Sequence, residues 1–446
     1  MANASNNDQE KTSNLKGYLF FWSGQLISLL GSNIVQFVLI WWVTVTTESA
    51  LLLSLSAFIG FAPTILITPI AGVFVDRWGR KGLLGSVDFL QASATIVLIF
   101  LFQSGVANLG IVFGFLAIRG VFQAFQQPAI QAIIPIMVPR KHLNRINSVD
   151  YLLSSVIFLI GPVVAALLYA AIPIHNILWI DAATFLVAII PLIAIKIPKI
   201  EKELEGKKEK IPFFEDFKEG VTFIREKKGL LSLLSVFTAA NLFLMPLFTL
   251  LNLFVYTTHG GGETQLAFVM AFFQGGTIAG AILLTVWKGF KKKVNGVALG
   301  IFIAYIGYLF TSSSPIGLFW FMAIGNLING FALPIANINS QTIWQTVVPK
   351  EKLGRVMSVR ISIAQITAPV GMILSGVIAE YIPITYVFYG SAILGIFCLA
   401  ITWFLTSLRK VEDDIVYDLE DKVPEKIPAL QEEIVLQKTE TSSSID

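Results

Sequence analysis

Long apolar stretches separated by short polar connections run along most of the chain. A helix needs about 20 apolar residues to cross the hydrocarbon core of a bilayer, and these stretches reach that length. They lack the short alternating segments of a membrane β-barrel, so the pattern predicts helices. Twelve spans are predicted, at 17–44, 50–75, 82–103, 108–137, 148–171, 174–197, 229–256, 264–288, 294–313, 315–347, 354–380 and 383–408.

Composition supports this assignment. Hydrophobic residues make up 55% of the 446 residues and charged residues 14%, whereas a soluble domain carries about 25% charged residues. The chain is therefore predicted to be an all-α integral membrane protein, which excludes a disordered chain and a nucleic-acid binder. The single cysteine excludes a disulfide framework, and the three histidines are far apart, so we expect no metal site and no cofactor. The sequence has no nucleophile-elbow, zinc-protease or Walker motif, so we expect no enzyme activity.

Basic residues predict the orientation of the spans. Lys and Arg cluster in every second connection, and the connections between them contain neither. Since cytoplasmic connections carry the excess of Lys and Arg, both termini are predicted to be cytoplasmic, with the protein in the cell membrane. The basic connections include Arg77, Arg80 and Lys81, then Arg140, Lys141 and Arg145, and later Lys350, Lys352 and Arg355.

An internal repeat divides the chain in two. Residues 138–149 (VPRKHLNRINSV) and 348–359 (VPKEKLGRVMSV) lie 210 residues apart and agree at seven of twelve positions, one of them an exchange of basic residues. Both lead from an even span to an odd one, which predicts two pseudo-symmetric six-helix bundles. The predicted organisation is a cytoplasmic N-terminal segment (1–16), a six-helix bundle (17–197), a cytoplasmic linker (198–228), a second six-helix bundle (229–408) and an acidic, disordered tail (409–446).

The second half of the linker has the pattern of an amphipathic helix. Its apolar residues fall on one helical face, which predicts a helix lying at the cytoplasmic interface of the membrane. A solvated linker is the alternative. The residues of this face are Phe213, Phe214, Phe217, Val221 and Ile224.

A ten-residue segment, GVFVDRWGRK, joins spans two and three. It matches G-x-x-x-D-R-x-G-R-K, in which glycines allow close backbone approach and the acid can meet an Arg or a helix N-terminus. On this motif the chain resembles the major facilitator superfamily, over residues 17–408. The resemblance implies a conformational latch on the cytoplasmic side, and a basic loop that only sets topology is the alternative. The latch residues are Gly72, Asp76, Arg77, Gly79, Arg80 and Lys81.

Two further motifs lie within spans. Arg119-Gly120 in span four resembles an Arg motif of the same family, which implies a place near a central cavity and an influence on proton or substrate coupling. Burial against a carboxylate or backbone carbonyls is the alternative. Gly161-Pro162 in span five resembles part of a drug–proton antiporter motif, although the other glycines of that motif are absent here. A packing kink between helices explains these two residues equally well.

Polar side chains on several spans predict an aqueous cavity, because a polar face is costly against lipid. Hydrogen bonding between helices is the alternative for each residue singly. The predicted cavity residues, on spans one, four, seven and ten, are Gln25, Ser32, Asn33, Gln36, Arg119, Gln123, Gln126, Asn241, Asn252, Asn326 and Asn329. Few carboxylates lie within or beside spans, and Asp88, Asp150 and Asp181 are candidates for carrying a coupling proton.

Further segments resemble the macrolide-efflux-type branch of the superfamily. They are WSGQLISLLGSNIVQ in span one, IRGVFQAFQQPA in span four and FKEGVTFIREKKGLLSLL before span seven. The resemblance implies a monomeric secondary transporter that exports a macrolide-like amphipathic compound by alternating access and proton antiport. Its partners would be the small substrate, protons and the lipid bilayer. The alternatives are a lysophospholipid or siderophore transporter of the same fold, and a sensor or scaffold that does not transport.

Overall fold

The computed structural model describes residues 15–78, 80–195, 213–287 and 289–413, and every regular element within these ranges is helical. Twelve of the helices are long and apolar enough to cross a membrane, which confirms the predicted all-α membrane fold. They are α1 (Leu15–Thr47), α2 (Ala50–Trp78), α3 (Arg80–Gln103), α4 (Leu109–Met137), α5 (Arg140–Ala171), α6 (Ile174–Ala194), α7 (Lys228–Leu253), α8 (Glu263–Val286), α9 (Lys293–Ser312), α10 (Phe319–Val347), α11 (Lys350–Tyr381) and α12 (Ile384–Leu405).

Three shorter elements accompany the twelve helices. The linker helix (Phe213–Glu226) precedes α7, a π-helical turn (Phe254–Thr258) follows α7, and a 3-10 turn (Ser407–Lys410) follows α12. The expectations for the remainder of the N-terminal segment, the first half of the linker and most of the acidic tail concern 1–14, 196–212 and 414–446, which lie outside the described residues.

Helices α5 and α11 begin earlier than the hydropathy pattern predicts. They start at Arg140 and Lys350, eight and four residues before the predicted starts of spans five and eleven, and each follows a proline at the cap position. The cause is physical: hydropathy marks only the part of a helix that needs an apolar environment, and a helix can continue into the polar phase. The two segments of the internal repeat therefore belong to helices rather than to loops.

The two ends of the helix bundle differ in charge. Helices α3, α9 and α11 begin with Arg80, Lys293 and Lys350, and we call this the basic end. The opposite end, which carries Glu48, Glu263 and Glu380 and whose connections contain no Lys or Arg, is called the acidic end.

The six helices of the N-terminal half (α1–α6) pack in the same pairs as those of the C-terminal half (α7–α12). In the N-terminal half α1 packs on α5 and α6, α4 on α2 and α3, and α3 on α6. Adding six to each helix number gives the pairs of the C-terminal half: α7 with α11 and α12, α10 with α8 and α9, and α9 with α12. Two parallel repeats produce this pattern, so the pseudo-symmetry predicted from the sequence is present in the packing.

The halves contact each other most extensively through α2 with α11 and α5 with α8. The pseudo-symmetry converts one of these contacts into the other, because α2 corresponds to α8 and α5 to α11. At the acidic end the Glu380 carboxylate accepts hydrogen bonds from Ser49 Oγ at 2.5 Å and from the Leu51 amide at 2.9 Å. A residue of α11 thus satisfies one of the free amides in the first turn of α2.

Glycines allow equivalent helix crossings in the two halves. Gly120 of α4 packs against the carbonyl oxygen of Gly60 on α2. A Cβ at Gly120 would collide with that oxygen. Gly330 of α10 meets the carbonyl oxygen of Phe273 on α8 in the same way. Small residues let helix backbones approach closely, which is how helices associate where lipid removes the hydrophobic driving force.

The outer surface of the bundle is apolar. Large side chains such as Leu66, Val286 and Phe404 are exposed, the reverse of what a soluble protein shows. Buried polar groups lie inside the bundle instead, among them Asp88 and Arg119. This distribution fits a protein whose solvent is lipid.

The linker helix packs on the C-terminal half at the basic end. Glu219 forms an ion pair with Arg355 and lies 3.6 Å from Lys352 Nζ. Of the predicted apolar face, Ile224 is buried in the same apolar cluster as Val359 of α11, and Phe217 and Val221 pack against that cluster, partly buried. This part of the predicted apolar face therefore contacts a neighbouring helix, which satisfies the same need for burial that lipid would.

Candidate functional site

A cavity of about 630 Å³ lies between the two halves. Helices α1, α2, α4 and α5 form one side of its wall, and α7, α8 and α11 form the other. It extends from Trp22 and Asp150, toward the basic end, to Ile40 and Leu53, toward the acidic end. Ligand pockets for small organic molecules have volumes of this order.

Seven of the predicted cavity residues line this wall. Four of them lie on α1 and recur at helical spacing, so they share the face of α1 that borders the cavity along most of its length. The seven are Gln25, Ser32, Asn33, Gln36, Gln123, Gln126 and Asn252.

Four predicted cavity residues are placed elsewhere, hydrogen-bonded to neighbouring helices. Asn241 donates to the carbonyl of Ala364 on α11 at 3.3 Å. Asn326 donates to Thr311 Oγ1 at 3.2 Å, and Asn329 to the Ala304 carbonyl at 3.0 Å, so both join α10 to α9. The fourth, Arg119, is buried within the N-terminal half. Helix α10 was expected to border the cavity, but its amides are used in helix packing.

Helix α5 contributes a stripe that the sequence analysis did not assign to the cavity. Asp150, Ser154, Phe158 and Pro162 all line the wall, four residues apart. Residues four apart share a helix face, so the stripe was present in the sequence as a signal. It was missed because none of its members is an amide and Asp150 was considered only as a proton carrier. Met270 and Gln274 of α8 and Met372 of α11 complete the opposite side.

Arg119 and Asp181 form a buried ion pair next to the cavity. Arg119 Nη1 lies 3.5 Å from Asp181 Oδ2, and Arg119 Nη2 donates to the Ser32 carbonyl at 2.8 Å. Ser32 Oγ and Thr95 Oγ1 donate to the same carboxylate at 3.1 and 2.9 Å. The residues come from α4, α6, α1 and α3, so the pair joins four helices. Each charge has its partner, as burial away from water requires.

Asp88 is buried without a cationic partner among the described side chains. Gln126 Nε2 donates to Asp88 Oδ1 at 2.9 Å, and Gln25 Nε2 lies 3.4 Å from Oδ2 as the second donor. Both amides also line the cavity, so they connect the carboxyl to its wall. Neutral amides as the partners of Asp88 were not predicted from the sequence.

Asp150 lies at the basic end of the cavity. The Trp22 indole N–H donates to Asp150 Oδ1 at 2.6 Å, and the Tyr18 ring stacks on Trp22 with centroids 6.3 Å apart. Among the described residues that line the cavity, Asp150 alone carries a charge. The rest of the wall consists of amides, hydroxyls, aromatic rings and aliphatic groups.

The predicted latch residues are described only in part. Lys81 Nζ donates to the carbonyls of Ile193 and Ile195 at 2.9 and 2.6 Å, and so satisfies two carbonyls at the C-terminal end of α6. Arg80 is the first residue of α3. The side chains of Asp76 and Arg77, the surroundings of Gly72 and the whole of Gly79 lie outside the described residues.

Gly161 and Pro162 belong to the contact between α5 and α1. A Cβ at Gly161 would lie 3.0 Å from Cβ of Asn33, so glycine permits the close approach of the two helices. Pro162 is the last member of the α5 stripe on the cavity wall.

No group of three metal-ligating side chains occurs in the part of the chain that the structure describes. His259, near the acidic end, is buried with Nε2 3.3 Å from Ser314 Oγ, and its ring packs edge-on against Phe254. Burial lowers the pKa of this imidazole, which favours its neutral form.

Comparison with known families gives a match over nearly all of this architecture. The chain matches the family described as the Major Facilitator Superfamily over residues 21–321 and 288–429. Macrolide efflux protein A of Streptococcus pyogenes is 30% identical over 405 residues, which cover 90% of this chain and 99% of that protein. The multidrug efflux pump Tap of Mycolicibacterium fortuitum is 26% identical, over 86% of this chain and 93% of that protein.

Solved structures have the same fold at lower sequence identity. A bacterial homologue of the human lysosomal transporter Spinster, solved in an inward-facing and unoccupied conformation, superposes with a TM-score of 0.63. It is 15% identical, and the superposition covers 90% of this chain and 98% of that one. The comparisons confirm the resemblance to macrolide-efflux-type transporters that the sequence motifs indicated.

Proposed function

The chain belongs to the major facilitator superfamily, and we propose that it exports an amphipathic, macrolide-like compound in exchange for protons. The observation that carries the proposal is the cavity of about 630 Å³ between the halves, whose wall combines amides with aromatic and aliphatic side chains. Such a wall suits a bulky ligand held by few hydrogen bonds. Relatives named as macrolide and multidrug efflux proteins support the direction and the substrate class.

The proposed mechanism is alternating access. In this conformation the halves meet at the acidic end through Glu380 and the first turn of α2. The Lys and Arg distribution supports an acidic end outside the cell, so we propose that this is an inward-facing state with both termini cytoplasmic. Rocking of the two repeats about the cavity would open the acidic end and close the basic end. A single chain supplies both repeats, so we propose a monomer in the cell membrane.

The latch remains part of this proposal. Gly72, Asp76 and Arg77 end α2 at the basic end, where the halves would close when the acidic end opens. Lys81 already ties α3 to the end of α6, which supports a rigid N-terminal half at that position.

The environments of the three candidate carboxyls favour Asp88 as the proton carrier. Asp181 has a guanidinium partner, and protonating it would leave the buried charge of Arg119 unpaired. Asp88 has two neutral amide donors, so it can gain a proton without leaving a cation unpaired among its described partners. Because both amides line the cavity, an occupying substrate can disturb their hydrogen bonds to Asp88. This arrangement supports coupling between substrate and proton.

The proposal is tested by macrolide flux in proteoliposomes with an imposed pH gradient. We expect wild-type protein to move a radiolabelled macrolide against its concentration gradient, and collapsing the pH gradient to abolish that movement. Asp88→Asn should lose the uphill component and retain downhill movement, because the site can still bind and release substrate. Glu226→Gln, at an exposed carboxylate of the linker helix, is the matched control.

Two outcomes would contradict the proposal. Uphill movement that survives collapse of the gradient would exclude proton exchange as the energy source. Failure of folded protein to move any of several macrolides tested in this way would exclude macrolides as the substrate class.

A further inference from the structure

The charge on the cavity wall indicates which compounds the site accepts. No Lys, Arg or His is among the described residues that line the wall, and Asp150 is its one carboxylate. A charge on the low-dielectric wall of a protein cavity acts on a ligand more strongly than the same charge in bulk water. The wall therefore discriminates between cations and anions.

The α5 stripe gives the cavity a direction. From the basic end inward it presents a carboxylate (Asp150), a hydroxyl (Ser154), an aromatic ring (Phe158) and an aliphatic ring (Pro162). These residues span about 18 Å at the rise of an α-helix. Phe248, Met270 and Met372 on the opposite side continue the apolar part. A ligand with one charged end and an apolar body matches this order.

The immediate surroundings of Asp150 suit an organic cation. The Trp22 indole occupies one carboxylate oxygen, Oδ1, and fixes the orientation of the group, which leaves Oδ2 for a ligand. Trp22 also lines the cavity, and an indole face attracts a cation while its edge binds the carboxylate. The stacked ring of Tyr18 holds the indole in place.

We propose that Asp150 is the specificity-determining residue of the cavity and that the transported compound is an amphipathic organic cation. Its charged group binds Asp150 at the basic end, and its apolar body lies toward Phe158 and Phe248. The proposal rests on the proposed export function and names the substrate class of that same site. It separates the acids by role: Asp150 binds substrate, Asp88 carries the proton, and Asp181 pairs with Arg119.

Binding of three probes of similar shape and different charge tests the proposal on full-length protein in detergent. The probes are tetraphenylphosphonium, tetraphenylborate and the uncharged triphenylphosphine oxide. We expect wild-type protein to bind the cation at least about tenfold more tightly than the anion, a ratio that corresponds to about 1.4 kcal/mol. This comparison needs no variant, so it does not depend on whether a substitution folds.

Variants then assign the preference to Asp150. Asp150→Asn should weaken binding of the cation about tenfold and change binding of the uncharged probe by less than about twofold. Asp150→Glu should restore the preference, because it keeps the charge. Glu226→Gln, at an exposed carboxylate of the linker helix outside the cavity wall, is the control and should keep the preference intact.

Equal binding of cation and anion by wild-type protein would overturn the proposal, and so would an equal loss of all three probes in Asp150→Asn with normal binding in Asp150→Glu. Gradient-driven macrolide flux combined with either result leaves export standing and removes only the role of Asp150. A cation preference that depends on Asp150, combined with no flux of any compound, supports the binding site and removes the export function.

Discussion

The two halves of the molecule share their backbone packing and differ in their buried chemistry. Helices α4 and α10 have the same length and begin 210 residues apart, as do α5 and α11. At this offset Gly120 corresponds to Gly330, and both glycines sit against a carbonyl of a neighbouring helix. The same offset takes Arg119 to Asn329 and Asp181 to Ser391. The ion pair of the N-terminal half thus has neutral residues in its place in the C-terminal half.

This difference extends to the other buried groups. Asp88, Arg119 and Asp181 are the buried Asp, Glu, Lys or Arg residues among the described parts of the chain, and all three lie in the N-terminal half. The cavity wall of the C-terminal half is formed by Phe248, Met270 and Met372 together with a few hydroxyl and amide groups. Among the described residues, the N-terminal repeat therefore carries the buried carboxylates and the buried guanidinium, and the C-terminal repeat contributes apolar and neutral polar side chains to the cavity wall.

The largest expected effect comes from breaking the ion pair. Asp181→Asn should reduce the free energy of unfolding by about 3–5 kcal/mol, because it leaves the guanidinium of Arg119 buried without a counter-charge. Asn329→Ala, at the position that corresponds to Arg119, should cost about 1–3 kcal/mol, since it removes one neutral hydrogen bond. Unfolding of purified protein in detergent, followed by loss of helical signal, measures both. The double variant Arg119→Met, Asp181→Leu should recover much of the loss. Equal costs at the two sites would show that the halves do not differ in this respect.

The glycine crossings are expected to be equivalent. Gly120→Ala and Gly330→Ala should each reduce the free energy of unfolding by about 1–3 kcal/mol, because each new methyl group meets a backbone carbonyl that cannot move freely. Gly114→Ala and Gly275→Ala are matched controls on α4 and α8, where a Cβ meets nothing within 4 Å. The same unfolding measurement applies. A loss in only one half would mean that the crossing is not shared.

The smallest expected effect concerns a joint between the third and sixth helices of each half. A positively charged side chain makes the contact in the N-terminal half, and a negatively charged one makes it in the C-terminal half. In the N-terminal half Lys81 on α3 donates to carbonyls at the end of α6. In the C-terminal half Glu412, beyond α12, accepts from the amides of Lys293 and Val294 at the start of α9, both at 2.9 Å. Lys81→Met and Glu412→Gln should each cost about 0.5–1 kcal/mol, as substitutions of helix caps do.

A control for this joint is Lys292→Met, which removes an exposed contact with Asp413 and should change stability very little. The melting temperatures of the three variants, measured at low and at high salt, make the comparison. Screening should reduce the effect of Lys81→Met and Glu412→Gln only partly, since both act through hydrogen bonds. Complete loss of the effect at high salt would instead assign it to exposed charge pairing.

The fold was predictable because membrane spans must be long and apolar. The twelve predicted spans overlap the twelve observed helices, and the repeat at 210 residues indicated the two halves. The starts of α5 and α11 were not predictable from hydropathy, since Arg140 and Lys350 lie beyond the apolar part of each helix.

The site was predictable only where helical periodicity gave a direction. The α1 stripe of Gln25, Ser32 and Gln36 lines the cavity, because one face of that helix is polar and borders it. Asn326 and Asn329 are equally polar, yet they bond to α9, and polarity alone does not distinguish a cavity from a neighbouring helix. The pairing of Arg119 with Asp181 joins residues on different helices, which a single sequence does not specify.

The capping of α2 by Glu380 has a consequence for how the molecule's state can be observed. The first turn of α2 belongs to the N-terminal half, but the residue that caps its Leu51 amide lies 329 positions away in the C-terminal half. If the halves part at the acidic end, as the proposed mechanism requires, the Leu51 amide must exchange its carboxylate partner for water. The Leu52 amide instead donates to the hydroxyl of Ser49, 3.2 Å away, a partner within its own half. The Leu51 amide therefore reports whether the acidic end is open or closed, and the adjacent Leu52 amide serves as its reference.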